Sequence, residues 1–417
     1  MDNKQSLLSN LQSPVSNRRI AIHVTPAAER SIRSGHPWVF ENSIQKQSFA
    51  GRPGDLAVLF DRKRRFLAVG LYDPTSSIRV RILQAGKQAT IDAAWLQERL
   101  AVAAAIRRPL RHTDTTGYRL VHGENDGLPG LIIDRYGETY VIKLYTPAWI
   151  PWLADVVGGL TANAEPERII LRLSRALQRQ DEWLYGRQDG QTLLGEPPTA
   201  PILFRENGLT FEADVLRGQK TGFFLDQRDN RARVEALTEG KSVLNVFAYT
   251  GGFSVYAALG GASRVTSLDI SPGALAAAKR NFTHNQADPQ VAACQHKTWS
   301  GDAFQGLVEM AAQGRTFDMV ILDPPSFAKK QAEVEQALGA YGRLVKLALG
   351  VLNEEGILVA ASCSSRVSSD EFFRVVHQTA RLARRPLREI ERTGHPLDHP
   401  VTYPEGAYLK CLFTVTP

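Results

Sequence analysis

Cysteine is scarce: the 417 residues hold three, Cys294, Cys363 and Cys411, widely spaced and without a CxxC pair. That excludes a disulfide framework, argues against a structural zinc site and leaves at most one thiol of chemical importance, so no metal is expected. Long apolar runs are also missing, since no segment approaches the roughly 20 uncharged residues that a membrane span requires. The opening stretch MDNKQSLLSNLQSPVSNR lacks the apolar core of a signal peptide, and a cytoplasmic location is the expectation. Two phosphate-binding loops are absent. The turn Phe247-Ala248-Tyr249-Thr250-Gly251-Gly252-Phe253 lacks the GxGxxG spacing that seats a pyrophosphate. Gly218-Gln219-Lys220-Thr221-Gly222 has Gln before its Lys and no upstream Gly where a nucleotide-triphosphate loop needs one, which disfavours an ATPase.

What is present begins with charge. The formal net charge is +7, but residues 1–117 hold 18 Lys and Arg against 9 Asp and Glu, leaving the remainder slightly acidic. A basic N-terminal region attracts polyanions through counterion release, although the same surface also serves solubility. The length predicts two or three domains. Residues 1–18 read as a disordered leader, being Ser- and Asn-rich without apolar periodicity. From residue 19 to about 90, short apolar runs (IAIHV, PWVF, DLAVLF, FLAVGLY, IRVRIL) separated by turn signals predict a small β domain. Residues 91–200 predict a linking helix that ends before Pro109, then a small α+β module and a Gly/Pro-rich linker or exposed hairpin over 186–201. In residues 201–417 compact apolar strands alternate with helices, which implies a largely parallel sheet with its ligands at the carboxyl edge.

One segment concentrates the chemistry. Residues 242–282 run strand, Gly-bearing turn, helix, strand and terminal acid. Gly251 and Gly252 permit close approach of backbone to a ligand, and the following helix presents unpaired N–H groups there. Asp269 lies 24 residues after Asn245, where a carboxylate can accept both hydroxyls of a ribose. Ser271 and Pro272 then suit the cap and first turn of the next helix. Asp302 stands where an acid could meet an adenine amino group, and serves equally well as a helix N-cap.

A second constellation follows. In DMVILDPPSF an apolar strand runs into Asp323-Pro324-Pro325, a rigid shelf suited to gripping the edge of a flat base. A further strand, GILVAASCSS, ends at Cys363, 40 residues beyond Asp323. In a doubly wound sheet both ends share one edge, so thiol and carboxylate face one substrate, although a lone strand Cys is more often a small core residue.

At these residues the chain resembles a class I methyltransferase, and more narrowly the bacterial 23S (large-subunit) ribosomal RNA cytosine-carbon-5 methyltransferases that carry an N-terminal PUA domain. The resemblance runs from Arg19 to Pro417 through SGHPWVFENSI (34–44), YRLVHGENDGLPGLIIDRYG (118–137), KTGFFLDQRDNR (220–231), LDPPSF (322–327), ASCSS (361–365) and DHPVTYPEGAYLK (398–410). It implies an RNA-binding PUA β-barrel, a small central α+β domain and a Rossmann-like α/β methyltransferase domain. It also implies S-adenosylmethionine as cofactor and 23S ribosomal RNA as partner, and it leaves room for a homodimer. Phe224, Asp226, Gln227 and Arg228 would help enclose the cofactor with Asn245, Phe247, Tyr249, Thr250, Gly251, Asp269, Asp302 and Asp323, and Cys363 would be the nucleophile. The better-studied RNA cytosine methyltransferases carry a second Cys beside the position of Asp323-Pro324-Pro325-Ser326. Here there is none, so the group that resolves a covalent adduct is open.

Two readings compete with this one. Asp-Pro-Pro-aromatic segments also serve methylation of guanine in RNA, which would not need Cys363. A non-catalytic RNA-binding assembly factor would keep the fold with a damaged cofactor site, and none of the expected features is damaged. Calorimetry with adenosylmethionine separates the latter from an enzyme.

Overall fold

A computed structural model describes residues 18–417, so most of the expected leader lies outside the described residues. The chain divides into two compact units. One holds the described residues up to Gly208 together with Ala213–Leu225 and Leu397–Tyr403; the other holds Leu209–Glu212, Asp226–Pro396 and Pro404–Pro417.

The first unit opens with strands β1 (Arg19–Val24), β2 (Trp38–Phe40), β3 (Ile44–Gln47), β4 (Leu56–Phe60), β5 (Phe66–Tyr72) and β6 (Ile78–Ala85). They form one sheet in the order β2-β6-β5-β4-β1-β3, antiparallel except for the parallel pair β1–β4. Ile20, Ile22 and Val24 alternate inward along β1, the period expected of a half-buried strand. Helix α1 (Pro26–Arg33) is not legible in the sequence, because only Ala28 and Ile32 face the core in a stretch of polar and charged residues. Thr25 starts it by accepting from the Ala28 N–H.

Helix α2 (Ala93–Ile106), capped by Asp92, leads to a second sheet of β7 (Gly117–His122), β8 (Leu131–Tyr136), β9 (Thr139–Leu144), β10 (Arg168–Leu173) and β11 (Thr192–Leu194). Its order is β11-β10-β9-β8-β7, with helix α3 (Leu153–Asn163) between β9 and β10. β11 corrects the reading of residues 186–201 as linker or exposed hairpin: it pairs antiparallel with β10 and buries Leu193. Three residues are too few to register a period against the surrounding Gly and Pro. Leu56, Leu71 and Leu83 share one apolar core with Trp95, Leu100 and Trp149, so the two sheets are packed as a single body. Asp398, in the segment that returns to this unit, accepts from the Arg119 N–H at 2.9 Å.

Strands β12 (Ile202–Glu206) and β13 (Leu209–Ala213) carry the chain onward. The second unit is built on β14 (Ser242–Val246), β15 (Arg264–Asp269), β16 (Gln295–Ser300), β17 (Phe317–Leu322), β18 (Leu352–Ser362), β19 (Arg388–Thr393) and β20 (Lys410–Val415). The order is β16-β15-β14-β17-β18-β20-β19. The first five strands are parallel, while β20 runs antiparallel to both of its neighbours. Seven helices accompany the sheet: α4 (Arg228–Glu235), α5 (Gly252–Leu259), α6 (Pro272–His284), α7 (Pro289–Ala293), α8 (Ala303–Ala312), α9 (Val334–Leu349) and α10 (Ser369–Leu382). Every residue of β14 is buried, as a strand covered on both faces requires.

The strand order reverses at β14, which places the ligand crevice between β14 and β17 at their carboxyl ends. Register makes those ends level. Val246 lies opposite Leu268 and Leu322, and Leu322 opposite Ala360, so Phe247, Asp269, Asp323 and Cys363 emerge along one edge. Among the described residues, no helix is long and apolar enough to cross a membrane, and no group of three His, Cys, Asp or Glu residues could hold a metal ion.

Candidate active site

The turn after β14 is conformationally demanding. Phe247 (φ 62°), Tyr249 (φ 47°) and Gly251 (φ 77°) all occupy the left-handed region, which costs a non-glycine residue roughly 1–2 kcal/mol. Asp269 offsets part of that cost. One of its carboxylate oxygens accepts from the Tyr249 N–H at 2.8 Å and the other from the Ser271 N–H at 2.9 Å, tying the turn to the end of β15. Gly251 has a reason inside the chain as well: a Cβ there would stand 2.8 Å from that of Ala278 on α6. Ser271 caps α6 by accepting from Ala274, with Pro272 in the first turn, as expected from the sequence.

Asn245 is 1% exposed, and its amide nitrogen donates to Ser254 Oγ at 2.9 Å. A chain of hydrogen bonds continues from Ser254 to Ser267 at 2.7 Å and from Ser267 to His296 Nε2 at 2.9 Å. The His296 ring stacks on Phe282, and burial, assisted by Lys279, pushes its pKa down to about 4, so it is neutral near pH 7. This chain engages the Asn245 nitrogen and leaves Oδ1 buried without a partner, as is Thr250 Oγ1. An unsatisfied buried polar group costs about 1–3 kcal/mol, and two beside one turn fit a polar ligand rich in donors.

Asp323 follows β17, and its Oδ1 accepts from Gln227 Nε2 at 2.8 Å. Gln227 is 2% exposed and its other amide atom accepts from Asn230, whose own carbonyl accepts from Thr393 Oγ1; both bonds measure 2.5 Å. Three side chains thus set the orientation of the Asp323 carboxylate. Asn230 and Thr393 were not evident from sequence, since an Asn in a polar helix and a Thr in an exposed strand carry no pattern. Asp226 accepts from Tyr408 O–H at 2.8 Å, and Arg228 is buried at the start of α4. Of the remaining candidates, Asp302 caps α8, one oxygen accepting from the N–H groups of Phe304 and Gln305 at 3.0 Å. Phe224 belongs to the first unit, where the Lys220 ammonium lies 4.5 Å from its ring centroid.

Cys363 is half-buried just past β18, its Sγ 4.0 Å from the carbonyl oxygen of Pro324. The nearby Ser326 hydroxyl donates to Ala328 O. The other two cysteines are elsewhere: Cys411 is fully buried in β20 and Cys294 precedes β16, and burial pushes both thiols up, Cys294 to about 11. In the sequence Lys410 is only the last residue of the DHPVTYPEGAYLK stretch. It pairs with Ser362 in the β18–β20 register, is 3% exposed, and donates through Nζ to the carbonyls of Ser364 and Val367 at 2.5 Å. Burial lowers its pKa to about 8, opposed by the nearby Cys363 and Glu371.

Comparison with known proteins places this geometry among relatives. Residues 178–414 match the model of a family described as S-adenosylmethionine-dependent methyltransferase, and residues 22–85 match that of a PUA-like domain. The chain is 48% identical over 409 residues to a ribosomal RNA large subunit methyltransferase of Deinococcus radiodurans, covering 97% of this chain and 99% of that one. It is 39% identical to ribosomal RNA large subunit methyltransferase I of Shewanella denitrificans, covering 94% and 98%. Among solved structures, a SAM-dependent methyltransferase from Streptococcus mutans aligns with a TM-score of 0.79 at 21% identity, covering 95% of this chain and 99% of that one. A methyltransferase complexed with SAH aligns at 0.80, also at 21% identity, covering 95% and 100%. At that identity the likeness is one of fold.

Proposed function

Since the chain belongs to the S-adenosylmethionine-dependent methyltransferases, in the group with an N-terminal PUA-like domain, we propose that it methylates carbon 5 of a cytosine in 23S ribosomal RNA, with Cys363 as nucleophile. The observation that carries this reading is the half-buried Cys363 thiol 4.0 Å from the Pro324 carbonyl of Asp-Pro-Pro, at the crevice edge of the sheet. The ribosomal RNA substrate rests on the relatives and on the basic N-terminal region.

The residues at the β14 turn fit adenosylmethionine. Asn245 Oδ1 and Thr250 Oγ1 would meet its polar groups, Asp269 the ribose hydroxyls, and Phe247, Tyr249 and Gly251 would line it. Asp226, Gln227 and Arg228 would border the same crevice, with Asp302 as a further contact. When bound, the cofactor supplies an electrophilic methyl group. Carbon 5 of cytosine is too weak a nucleophile to take it unaided, so the Cys363 thiolate adds to carbon 6 and pushes the electrons of the 5,6 double bond toward carbon 5. Asp323, oriented by Gln227, hydrogen-bonds the amidine edge of the base and stabilises the charge that develops. Once carbon 5 carries the methyl group, a base removes its proton and the thiolate leaves as the double bond re-forms. Residues 19–90 are proposed as the RNA-binding module, 91–200 as the central domain and 201–417 as the catalytic domain.

The test is incubation of the protein with methyl-labelled adenosylmethionine and 23S ribosomal RNA from a strain lacking this gene, then mass spectrometry of the nucleosides. 5-Methylcytidine is expected. Methylguanosine would move the assignment to guanine, and no product together with no calorimetric binding of adenosylmethionine would favour an assembly factor.

Asp269→Ala should weaken adenosylmethionine binding by roughly 1–3 kcal/mol, because charge-assisted bonds to the ligand are lost. The substitution also frees the Tyr249 and Ser271 N–H groups, so Asp269→Asn is the companion variant: it keeps an acceptor for the turn and should lose less. Calorimetry reads both, and unchanged affinity in a folded Asp269→Ala protein would sink the assignment.

A further inference from the structure

Within the first unit, the turn between β4 and β5 reads Asp61-Arg62-Lys63-Arg64-Arg65, and its four basic residues are all exposed. The turn is pre-shaped. Asp61 is fully buried and accepts from the N–H groups of Lys63 at 2.8 Å and Arg65 at 2.9 Å, while also holding the guanidinium groups of Arg65 and Arg33 at 2.9 and 3.2 Å. Arg64 takes φ 60° to complete the turn. Arg33 also pairs with Glu29 at 3.1 Å, so five cations gather around two acids, and three of them, Arg62, Lys63 and Arg64, are exposed and make no ion pair with any described residue.

At the foot of this turn Phe60 and Phe66 face each other as a cross-strand pair. Both line a cavity of about 290 Å³ with Val58 and Val69, and Arg19 and Gln88 stand among its polar lining groups. That volume is near the lower end of the roughly 300–1,000 Å³ usual for small-ligand sites, a scale suited to one flat ring. Aromatic walls with a few polar groups, beside unpaired cations on a rigid turn, match what a nucleotide strand presents: a flat apolar face edged with donors and acceptors, flanked by phosphates.

We propose that the Asp61–Arg65 turn and the pocket at its foot bind a single-stranded stretch of RNA, one base entering against Phe60 and Phe66 while its neighbouring phosphates meet Arg62, Lys63 and Arg64. The inference rests on the RNA reading above and adds where the strand is gripped and in what form. A duplex keeps its bases stacked and cannot fill the pocket. An acidic protein surface would satisfy the cations but gives the aromatic pocket no role.

The test uses the full chain and a fluorescein-labelled 12-nucleotide RNA, single-stranded or annealed to its complement, read by anisotropy at several salt concentrations. The triple variant Arg62→Ala, Lys63→Ala, Arg64→Ala should reduce the slope of log affinity against log salt by about 2, because single strands lose roughly 0.7 per neutralised phosphate. Phe66→Leu should weaken single-strand binding roughly tenfold at constant slope, and Phe66→Tyr, which keeps the ring, should preserve it. Calorimetry with adenosylmethionine serves as the check that the variants are folded. Equal affinity of the triple variant would overturn the site, and so would a Phe66→Leu loss of the same size on duplex and single strand, since the pocket would then have no part. Because no methylation is measured, the result stands apart from the cytosine assignment: 5-methylcytidine with no turn dependence would sink this inference alone, and turn-dependent single-strand binding with no 5-methylcytidine would sink the assignment alone.

Discussion

Cys363→Ala is expected to abolish turnover, by roughly 10⁴-fold or more, as removal of an enzyme's nucleophile does elsewhere. It should also remove a covalent adduct that the unsubstituted protein forms with RNA containing 5-fluorocytidine. Fluorine at carbon 5 cannot leave as a proton does, so once the thiolate has added and the methyl group has transferred, elimination is blocked and protein and RNA stay joined through denaturation. Cys294→Ala and Cys411→Ala should keep both the adduct and the turnover. Their thiols are raised by burial, and neither follows the carboxyl end of β17 or β18, where the Asp-Pro-Pro segment and Cys363 stand. A denaturing gel with labelled RNA reads the adduct directly. Methylation that persists in Cys363→Ala would defeat the nucleophile and promote the guanine reading, whose chemistry needs no thiol.

Much of the candidate site is legible in the sequence, and for a physical reason. A strand covered on both faces buries nearly every residue, so the residues that follow its apolar run at the carboxyl end stand out: Asp323 follows MVIL in β17 and Cys363 follows ILVAAS in β18, while Asp269 closes the buried but more polar VTSL of β15. The residues that act through others have no such contrast. Asn230 and Thr393 orient Gln227 from a polar helix and an exposed strand, and His296 anchors the Asn245 chain from a strand whose burial alternates. Asp302 illustrates the opposite difficulty: one acid before a helix suits both a ligand contact and a cap, and the cap it makes engages a single oxygen, which accepts from two N–H groups. The short elements α1 and β11 were lost because eight and three residues give periodicity too little length to register.

Lys410→Met is expected to slow alkylation of Cys363 by iodoacetamide about tenfold or more at pH 7.5, with a matching fall in methylation. Lys410 donates to two carbonyls of the loop that follows Cys363, Ser364 O and Val367 O, and a buried ammonium held only by carbonyls gains from an anion nearby. In the proposed reaction the thiolate of Cys363 is that anion. Among the other groups facing this corner, Tyr341 on α9 is pushed up to about 12 by burial and stays neutral. Glu371 on α10 partners Ser368, Asp323 at the end of β17 is engaged by Gln227, and the Cys411 thiol is held protonated. Lys410 therefore supplies the positive charge, and without it the thiolate loses the cation that stabilises it. The burial of Lys410 also couples it to stability. The native pKa of about 8 lies below the ordinary 10.5, so between those values the unfolded chain binds a proton that the native one does not, and this group's contribution to stability rises with pH across that window. Near pH 7 the buried charge is a cost, which Met removes, but Met also leaves the Ser364 and Val367 carbonyls without their donor, so thiol reactivity rather than melting is the readout of the charge. Lys410→Arg keeps the charge and should retain most of the reactivity. An alkylation pH profile in Lys410→Met that superimposes on that of the unsubstituted protein would leave Lys410 with no influence on the thiol and confine it to holding the Ser364–Val367 loop.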